Sequence, residues 1–365
     1  MSDSARPVRV RDDLIDVAPY GAPQLDVAVR LNTNETAQTP PEVFTTVLAS
    51  RLAALTLNRY PDRQHQTLRE RLGARVNKPA ESLWAANGSN EILLQLLQAY
   101  GGPSRTLMYP HPSYSMYPEL GRTTLTKTVS FPLEDDFQFT AATAAAACHQ
   151  HDPNIIIVPS PNNPVGTLVS HEAIRALHDN SQALVIVDEA YIEFAPSDAS
   201  VLPLTDELER LVIVRTFSKA FRLAGLRLGY VIAPDWVIED LQKVRLPYHL
   251  DTIKQVAAIT AIEHEDAFLT HRQQVANERE RLTEILRQRN DIIVYDSAAN
   301  FFLLRSLTHN LFARLLEQGV LVRDFSTVRG LDGCVRVTIG TPKENDRFLS
   351  ALAAVLDATN ERTAS

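Results

Sequence analysis

One lysine in this chain stands where a lysine can do chemistry. Of the six, Lys78 precedes a proline in a loop-like stretch and Lys127 alternates with polar residues. Lys243, Lys254 and Lys343 fall on charged, helix-like surfaces. Lys219 alone follows a short apolar, β-branched run, Leu211-Val212-Ile213-Val214, and sits between Phe217 and Phe221. The carboxyl end of a buried strand is where open α/β sheets hold ligands. Apolar neighbours, with the cation Arg227 eight residues on, lower the amine's pKa and free it to bond a carbonyl carbon. A surface lysine after a strand is the competing reading, and this stretch alone does not separate the two.

Other chemistry-bearing residues recur at strand ends. Asp188 follows Ala183-Leu184-Val185-Ile186-Val187. A carboxylate there can pair with a protonated ring nitrogen of a cofactor, or simply cap a helix. Ser160-Pro161-Asn162-Asn163-Pro164-Val165-Gly166 is a rigid loop from which the Asn163 amide can donate two hydrogen bonds, or a plain turn. Gly88-Ser89-Asn90-Glu91 can cradle a phosphate at a helix start. Tyr114 can stack on an aromatic ring or pack in a core. Each is a weak signal alone. Cys148-His149-Gln150-His151-Asp152 looks like a metal cluster, but i, i+2 residues of a helix diverge, so no metal site is expected. His171-Glu172 lacks the second histidine of a zinc protease motif, and neither a P-loop nor a GxGxxG occurs.

The elements that must position these residues alternate. Strand cores are predicted at Leu83–Ala86, Thr106–Tyr109, Thr126–Phe131, Ile155–Val158, Leu184–Val187, Leu211–Val214 and Leu228–Ile232, with helical periods between most of them. That pattern predicts an α/β fold built on a doubly wound, mainly parallel sheet. After Pro234 come amphipathic helices at Asp235–Val244, Thr252–His264 and Ala267–Arg289. Short strands follow at Ile292–Tyr295, Phe301–Leu304 and Val335–Ile339, joined by Val320-Leu321-Val322. The chain therefore divides into an arm over 1–40, a large cofactor-binding domain over 41–250 and a smaller α+β domain over 251–365. The arm, with an edge strand near Val27–Leu31, packs on the small domain.

Composition excludes several classes. A net charge of −8 and a pI near 5.7 argue against a nucleic-acid or anionic-membrane surface. Anionic substrates must therefore be held by local arginines. Two distant cysteines, a charged N-terminus and the lack of a membrane-length apolar run suit a cytoplasmic enzyme.

Taken in order, the set resembles the fold-type I pyridoxal-phosphate aminotransferases. The runs Ser-Pro-Asn-Asn-Pro-Val-Gly, Val-Asp-Glu-Ala-Tyr, Thr-Phe-Ser-Lys-Ala-Phe and Leu-Ala-Gly-Leu-Arg-Leu-Gly-Tyr carry the resemblance. Within that superfamily the chain is most similar to histidinol-phosphate aminotransferases. The pointers are Ala18–Gln24, Leu31–Glu35, Asn58–Asp62, Ala299–Phe301 and Val335–Gly340. The resemblance implies pyridoxal 5'-phosphate and a transfer of the amino group between L-histidinol phosphate and 2-oxoglutarate. It implies that Lys219 bonds the cofactor and then moves a proton, and that Asp188 pairs with the ring nitrogen. Tyr191 and Asn163 bond the ring oxygen, and Tyr114 stacks on the ring. Ser89, Asn90, Ser218 and Arg227 hold the phosphate, with Tyr60 reaching in from the second subunit of a homodimer. Arg323 and Arg336 bind substrate anions, and Tyr20 and Asn34 line the substrate mouth. Two residues depart from the family pattern, Thr36-Ala37 after Asn34-Glu35. An aromatic amino-acid aminotransferase and a phosphothreonine decarboxylase share these cofactor residues. A DNA-binding regulator does not fit, because no basic recognition helix precedes the core.

Overall fold

The computed structural model describes residues 8–19, 21–306 and 310–363. The arm contributes a two-residue strand, β1 (Val29–Arg30), and runs into α1 (Glu42–Ala53) and α2 (Gln66–Val76). The large unit then alternates: β2 (Leu83–Ala86), α3 (Ser89–Tyr100), β3 (Thr106–His111), α4 (Met116–Thr123), β4 (Lys127–Pro132), α5 (Ala141–His151), β5 (Ile155–Pro159), α6 (His171–Asp179), β6 (Leu184–Asp188), β7 (Leu211–Thr216) and β8 (Gly229–Ile232). These strands form one seven-stranded sheet in the order β2-β8-β7-β6-β5-β3-β4. Only β8 runs against its neighbours, β2 and β7.

The sheet is covered on both faces, so its strands are almost continuously apolar. Alternate residues serve opposite sides, as the two-residue period of a strand requires. Ile156, Val158, Val185, Val187 and Ile213 pack with Phe44, Leu68, Ile174 and Leu177. Ile155, Ile157, Ile186, Val212 and Val214 pack with Ile92, Leu96, Tyr117 and Leu241.

Helices α7 (Asp235–Val244), α8 (Thr252–Glu263) and α9 (Glu265–Leu286) lead to the smaller unit. The passage falls inside α9: Phe268 belongs to the large-sheet core, while Val275, Leu282 and Leu286 belong to the next. That second core surrounds β9 (Ile293–Val294), β10 (Phe301–Arg305), α10 (Leu311–Glu317), β11 (Val320–Leu321), β12 (Arg323–Asp324), β13 (Cys334–Thr338) and α11 (Pro342–Thr363). It also takes in Tyr191 and Ala220 of the large unit, which lie beside the two strand ends singled out above.

One expectation is corrected. Val320-Leu321-Val322 does not join the small sheet, whose order is β12-β13-β10-β9. Instead β11 pairs in parallel with β1 of the arm, Val29 opposite Val320 and Arg30 opposite Leu321. The chain crosses from one sheet to the other at Val322, so β12 begins at Arg323 and pairs with β13. The predicted edge strand is correspondingly short, two residues in place of five.

Candidate active site

A cleft of about 400 Å3 lies over the carboxyl ends of β5, β6 and β7, between the two units and under the arm. Its walls include Ser89, Asn90, Tyr114, Asn163, Asp188, Tyr191, Ser218, Lys219, Arg227, Asn34, Arg323 and Arg336. Segments more than 300 residues apart in sequence thus meet in one cavity. Two expected residues are not placed there: Tyr20 lies outside the described residues, and Tyr60 is 80% exposed on the surface, its ring stacked 4.4 Å from that of Tyr248.

Lys219 stands just beyond β7, anchored by the buried rings of Phe217 and Phe221. Its Nζ donates to the Thr33 carbonyl at 3.1 Å. Burial pulls the amine down from the usual lysine range to about 7, helped first by the Arg336 guanidinium and then by Arg227, against the opposing charge of Glu35. The sequence neighbour Arg227 is therefore the lesser cation; Arg336, 117 residues downstream, counts for more. The Thr36 hydroxyl donates to the Lys219 carbonyl at 3.0 Å, and Arg222 donates to the Thr39 carbonyl at 3.0 Å. The family departure at Thr36 thus lies against the lysine's own backbone.

Asp188 ends β6, buried. Its Oδ2 accepts from the Tyr117 hydroxyl at 3.0 Å and its Oδ1 from the Ala190 N–H at 3.3 Å. Burial nonetheless raises its pKa to about 6. Two donors do not offset the lost water, and a carboxylate in that condition is one a nearby cation stabilises.

Tyr191 receives the Asn34 Nδ2 on its hydroxyl at 3.0 Å, and the Lys219 Nζ lies 5.7 Å from its ring centre. Asn34 itself is held on every side. Its N–H donates to Thr338 Oγ1, its Oδ1 accepts from the same hydroxyl, both at 3.0 Å, and its carbonyl accepts from Asn300 Nδ2 at 3.1 Å.

Arg336 is buried. It donates through Nη1 to Asn163 Oδ1 at 2.5 Å and through Nη2 to the Asn32 carbonyl at 2.6 Å. Its guanidinium lies 5.3 Å from the Phe301 ring centre and 5.6 Å from that of Phe325. Because Asn163 accepts through Oδ1, its Nδ2 is the atom left to donate. Arg323 faces Arg336 directly across the β12–β13 pair, so both project from the same face. Like charges in that relation repel, and an anion between them relieves the repulsion.

At the other end of the cleft, Ser89 opens α3 and Arg227 donates to Ser218 Oγ at 3.3 Å. The backbone fits closely here. A Cβ on Gly229 would lie 2.4 Å from the Ser89 nitrogen, so only glycine lets α3 start against β8. Gly88 has φ +90, a conformation that suits glycine. Helix-start N–H groups, two serine hydroxyls and a guanidinium form a donor set for a phosphate. The buried Ser113 hydroxyl lines the same cleft and has no hydrogen-bond partner among the described residues. An anion-binding cradle at one end, a buried carboxylate in the middle and an amine of lowered pKa opposite fit pyridoxal phosphate. Among the described residues no group of three or more His, Cys, Asp or Glu is arranged for a metal.

Sequence reasoning missed Tyr117, Thr33 and Thr338. Tyr117 follows Tyr114 by three residues at a helix start and reads as core. Thr33 acts through its carbonyl, which no residue type announces.

This fold and cleft are those of an aminotransferase. The family model for aminotransferase class I and II matches residues 26–352, and the chain belongs to that family. Its relatives narrow the likeness. A histidinol-phosphate aminotransferase of Corynebacterium efficiens is 43% identical, covering 95% of this chain and 94% of its own. One of Streptomyces avermitilis is 45% identical, covering 94% and 95%. Among solved structures, the histidinol-phosphate aminotransferase of Sinorhizobium meliloti in complex with pyridoxal-5'-phosphate superposes with a TM-score of 0.88 at 21% identity, covering 98% of this chain and 100% of that one. An L-threonine-O-3-phosphate decarboxylase of Porphyromonas gingivalis superposes at 0.78 with 25% identity, covering 90% and 99%. The fold alone therefore does not select the reaction.

Proposed function

We propose that this enzyme transfers the amino group between L-histidinol phosphate and 2-oxoglutarate, in histidine biosynthesis, using pyridoxal phosphate. The observation that carries the reading is the pairing of Arg323 and Arg336 on one face of the small sheet, opposite Lys219. A guanidinium fork accepts the phosphate of one substrate and the carboxylate of the other alike. Relatives of that activity at 43–45% identity over nearly the whole chain support it.

The cofactor supplies an electron-withdrawing ring that takes up the charge left when the donor's Cα–H bond breaks. Everything else falls to the chain. The Lys219 amine, its pKa drawn down to about 7 by burial, would take the proton from the donor's Cα and return it to the carbon at the other end of the C–N bond. The Asp188 carboxylate keeps the ring nitrogen protonated. Tyr191, oriented by Asn34, and Asn163, oriented by Arg336, donate to the ring oxygen. Ser89, Asn90, Ser218 and Arg227 hold the phosphate, and Tyr114 covers the ring.

The site is completed across a homodimer in this reading. Leu57 and Tyr60 on one loop and Leu246 and Tyr248 on another are exposed by 40–80% and brought together by the Tyr60–Tyr248 stack. Apolar exposure of that kind marks an interface. Both cysteines are free and buried, and no helix among the described residues is long and apolar enough to cross a membrane. These facts support a cytoplasmic enzyme.

The test is a half-reaction panel on purified holoenzyme with histidinol phosphate, phenylalanine, tyrosine and phosphothreonine. The highest specificity constant is expected for histidinol phosphate. A preference for phenylalanine or tyrosine, or release of carbon dioxide from phosphothreonine, rejects the assignment.

A further inference from the structure

Beyond the Tyr191 turn lies a second cavity, of about 590 Å3, which shares no lining residue with the cleft above. Its floor is the turn Ile192–Pro196, and four arginines enter it: Arg75 from α2, Arg215 from β7, and Arg272 and Arg279 from α9. Two of them are already matched. Arg75 pairs with Glu265 at 2.7 Å and lies 3.6 Å from Glu193; Arg215 pairs with Glu189 at 2.8 Å. The α9 pair is not. Arg279 gives one N–H to the Ala299 carbonyl at 2.6 Å. Arg272 makes no hydrogen bond and no ion pair within 4.0 Å among the described residues, feeling Glu193 and Glu265 only at longer range. Seven residues apart, the two stand two turns apart on one side of the helix.

The carboxylates are unevenly shared: Glu189 and Glu265 are in ion-pair contact with Arg215 and Arg75, Glu193 lies 3.6 Å from Arg75, and the α9 pair is reached only at longer range, Arg272 by Glu193 and Glu265 and Arg279 by Glu280. Glu193 is a weak counter-ion as well. Neither of its oxygens accepts a hydrogen bond, and burial raises its pKa. Burial lowers the pKa of Arg272, against the pull of Glu193 and Glu265, and of Arg279, against that of Glu280, so each has lost water without a carboxylate in hydrogen-bond contact. Guanidinium groups in that condition are stabilised by an added anion.

We propose that this cavity is a second binding site, for a small phosphoryl-bearing anion held by Arg272 and Arg279. Ser197 and Gln273 line the same space; the Ser197 hydroxyl and the Gln273 N–H not given to Asn277 are neutral donors. Donors thus approach from the α9 wall and from the turn opposite. Oxygens around a tetrahedral phosphorus can meet both walls, whereas the two oxygens of a carboxylate lie in one plane. The volume is within the range of small-molecule pockets, roughly 300–1,000 Å3. The floor continues directly from Tyr191, so an occupant contacts the segment that carries an active-site hydroxyl.

The probe is inorganic pyrophosphate, titrated by calorimetry into holoenzyme carrying Arg336→Ala, which takes the buried guanidinium from the pair at the substrate end of the cleft and weakens anion binding there. One pyrophosphate per chain is expected, weakened at least tenfold on adding Arg272→Gln and Arg279→Gln, with the melting temperature unchanged. If the triple variant does not fold, Arg336→Ala with Arg272→Gln alone is read the same way, since Arg272 has no hydrogen bond to lose. Absence of binding to the Arg336→Ala holoenzyme, or equal affinity after the α9 substitutions, overturns the site. Malonate binding as tightly as pyrophosphate overturns its assignment to a phosphoryl group.

Discussion

Replacing Tyr117 by phenylalanine isolates one hydrogen bond to Asp188. The ring is fully buried between the Tyr109 and Tyr114 rings, so the substitution keeps its shape and removes only the hydroxyl that reaches Asp188 Oδ2. A hydrogen bond to a charged group contributes about 1.5–3 kcal/mol. At 1.36 kcal/mol per pKa unit, its loss raises the Asp188 pKa by about 1–2 units. The starting value is about 6, because burial outweighs the two donors. The variant's value is then roughly 7–8, and at pH 7 the ionised share falls from ~90% to somewhere between ~50% and ~10%. A neutral carboxyl cannot hold the ring nitrogen protonated. The assay is the single-turnover half-reaction with glutamate, followed by cofactor absorbance from pH 5 to 9. The acidic limb should move up by about 1–2 units, with the rate at pH 7 down roughly twofold to tenfold, in step with the ionised share. An acidic limb that stays in place, in a variant of unchanged melting temperature, refutes the assignment of Tyr117 to the Asp188 carboxylate.

Three further outcomes are expected. Capture of pyridoxal phosphate by the cofactor-free chain should follow the neutral Lys219 amine and reach half its maximal rate near pH 7, with borohydride fixing the label on Lys219; a midpoint near 10, or a label elsewhere, contradicts the reading. Arg336→Ala should impair both half-reactions by about 2–5 kcal/mol, as for one partner of a buried charged pair, and raise the Lys219 midpoint because a neighbouring cation is gone; Arg336→Lys should recover little, since a point charge does not replace a fork. Mixing inactive Lys219→Ala chains with an inactive Tyr60 variant should restore activity through hybrid dimers, and no recovery with hybrids shown to form argues against a shared site.

The large sheet was legible because it is covered on both faces. Its central strands, β5 to β7, are built on apolar runs, and Asp188 and Lys219 stand where two of those runs stop. The small unit was less so. A two-residue strand such as Val320–Leu321 has no periodicity to read, and its partner, Val29–Arg30, lies at the other end of the chain. The electrostatics were half legible. Arg227 is visible beside Lys219 in sequence, but the stronger cation arrives from β13. Tyr117 was hidden because a buried aromatic looks the same whether or not its hydroxyl has a task.

The arm has a consequence for the order in which the molecule can mature. Asn34 bonds to Thr338, 304 residues later, while the Thr33 carbonyl holds an amine 186 residues away. Residues synthesised among the first must therefore wait for some of the last before they settle. Contacts of such sequence separation form slowly. The large sheet, whose own strands all lie between Leu83 and Ile232, can assemble earlier. Chains stopped short of β13 on the ribosome should then hold a folded sheet but an unfinished lysine site, and acquire the power to trap cofactor only with the final stretch. Nascent chains arrested at about residue 300, before β11 and β13, that already captured pyridoxal phosphate at Lys219 would show that neither β13 nor the docking of the arm on it is needed to ready the amine.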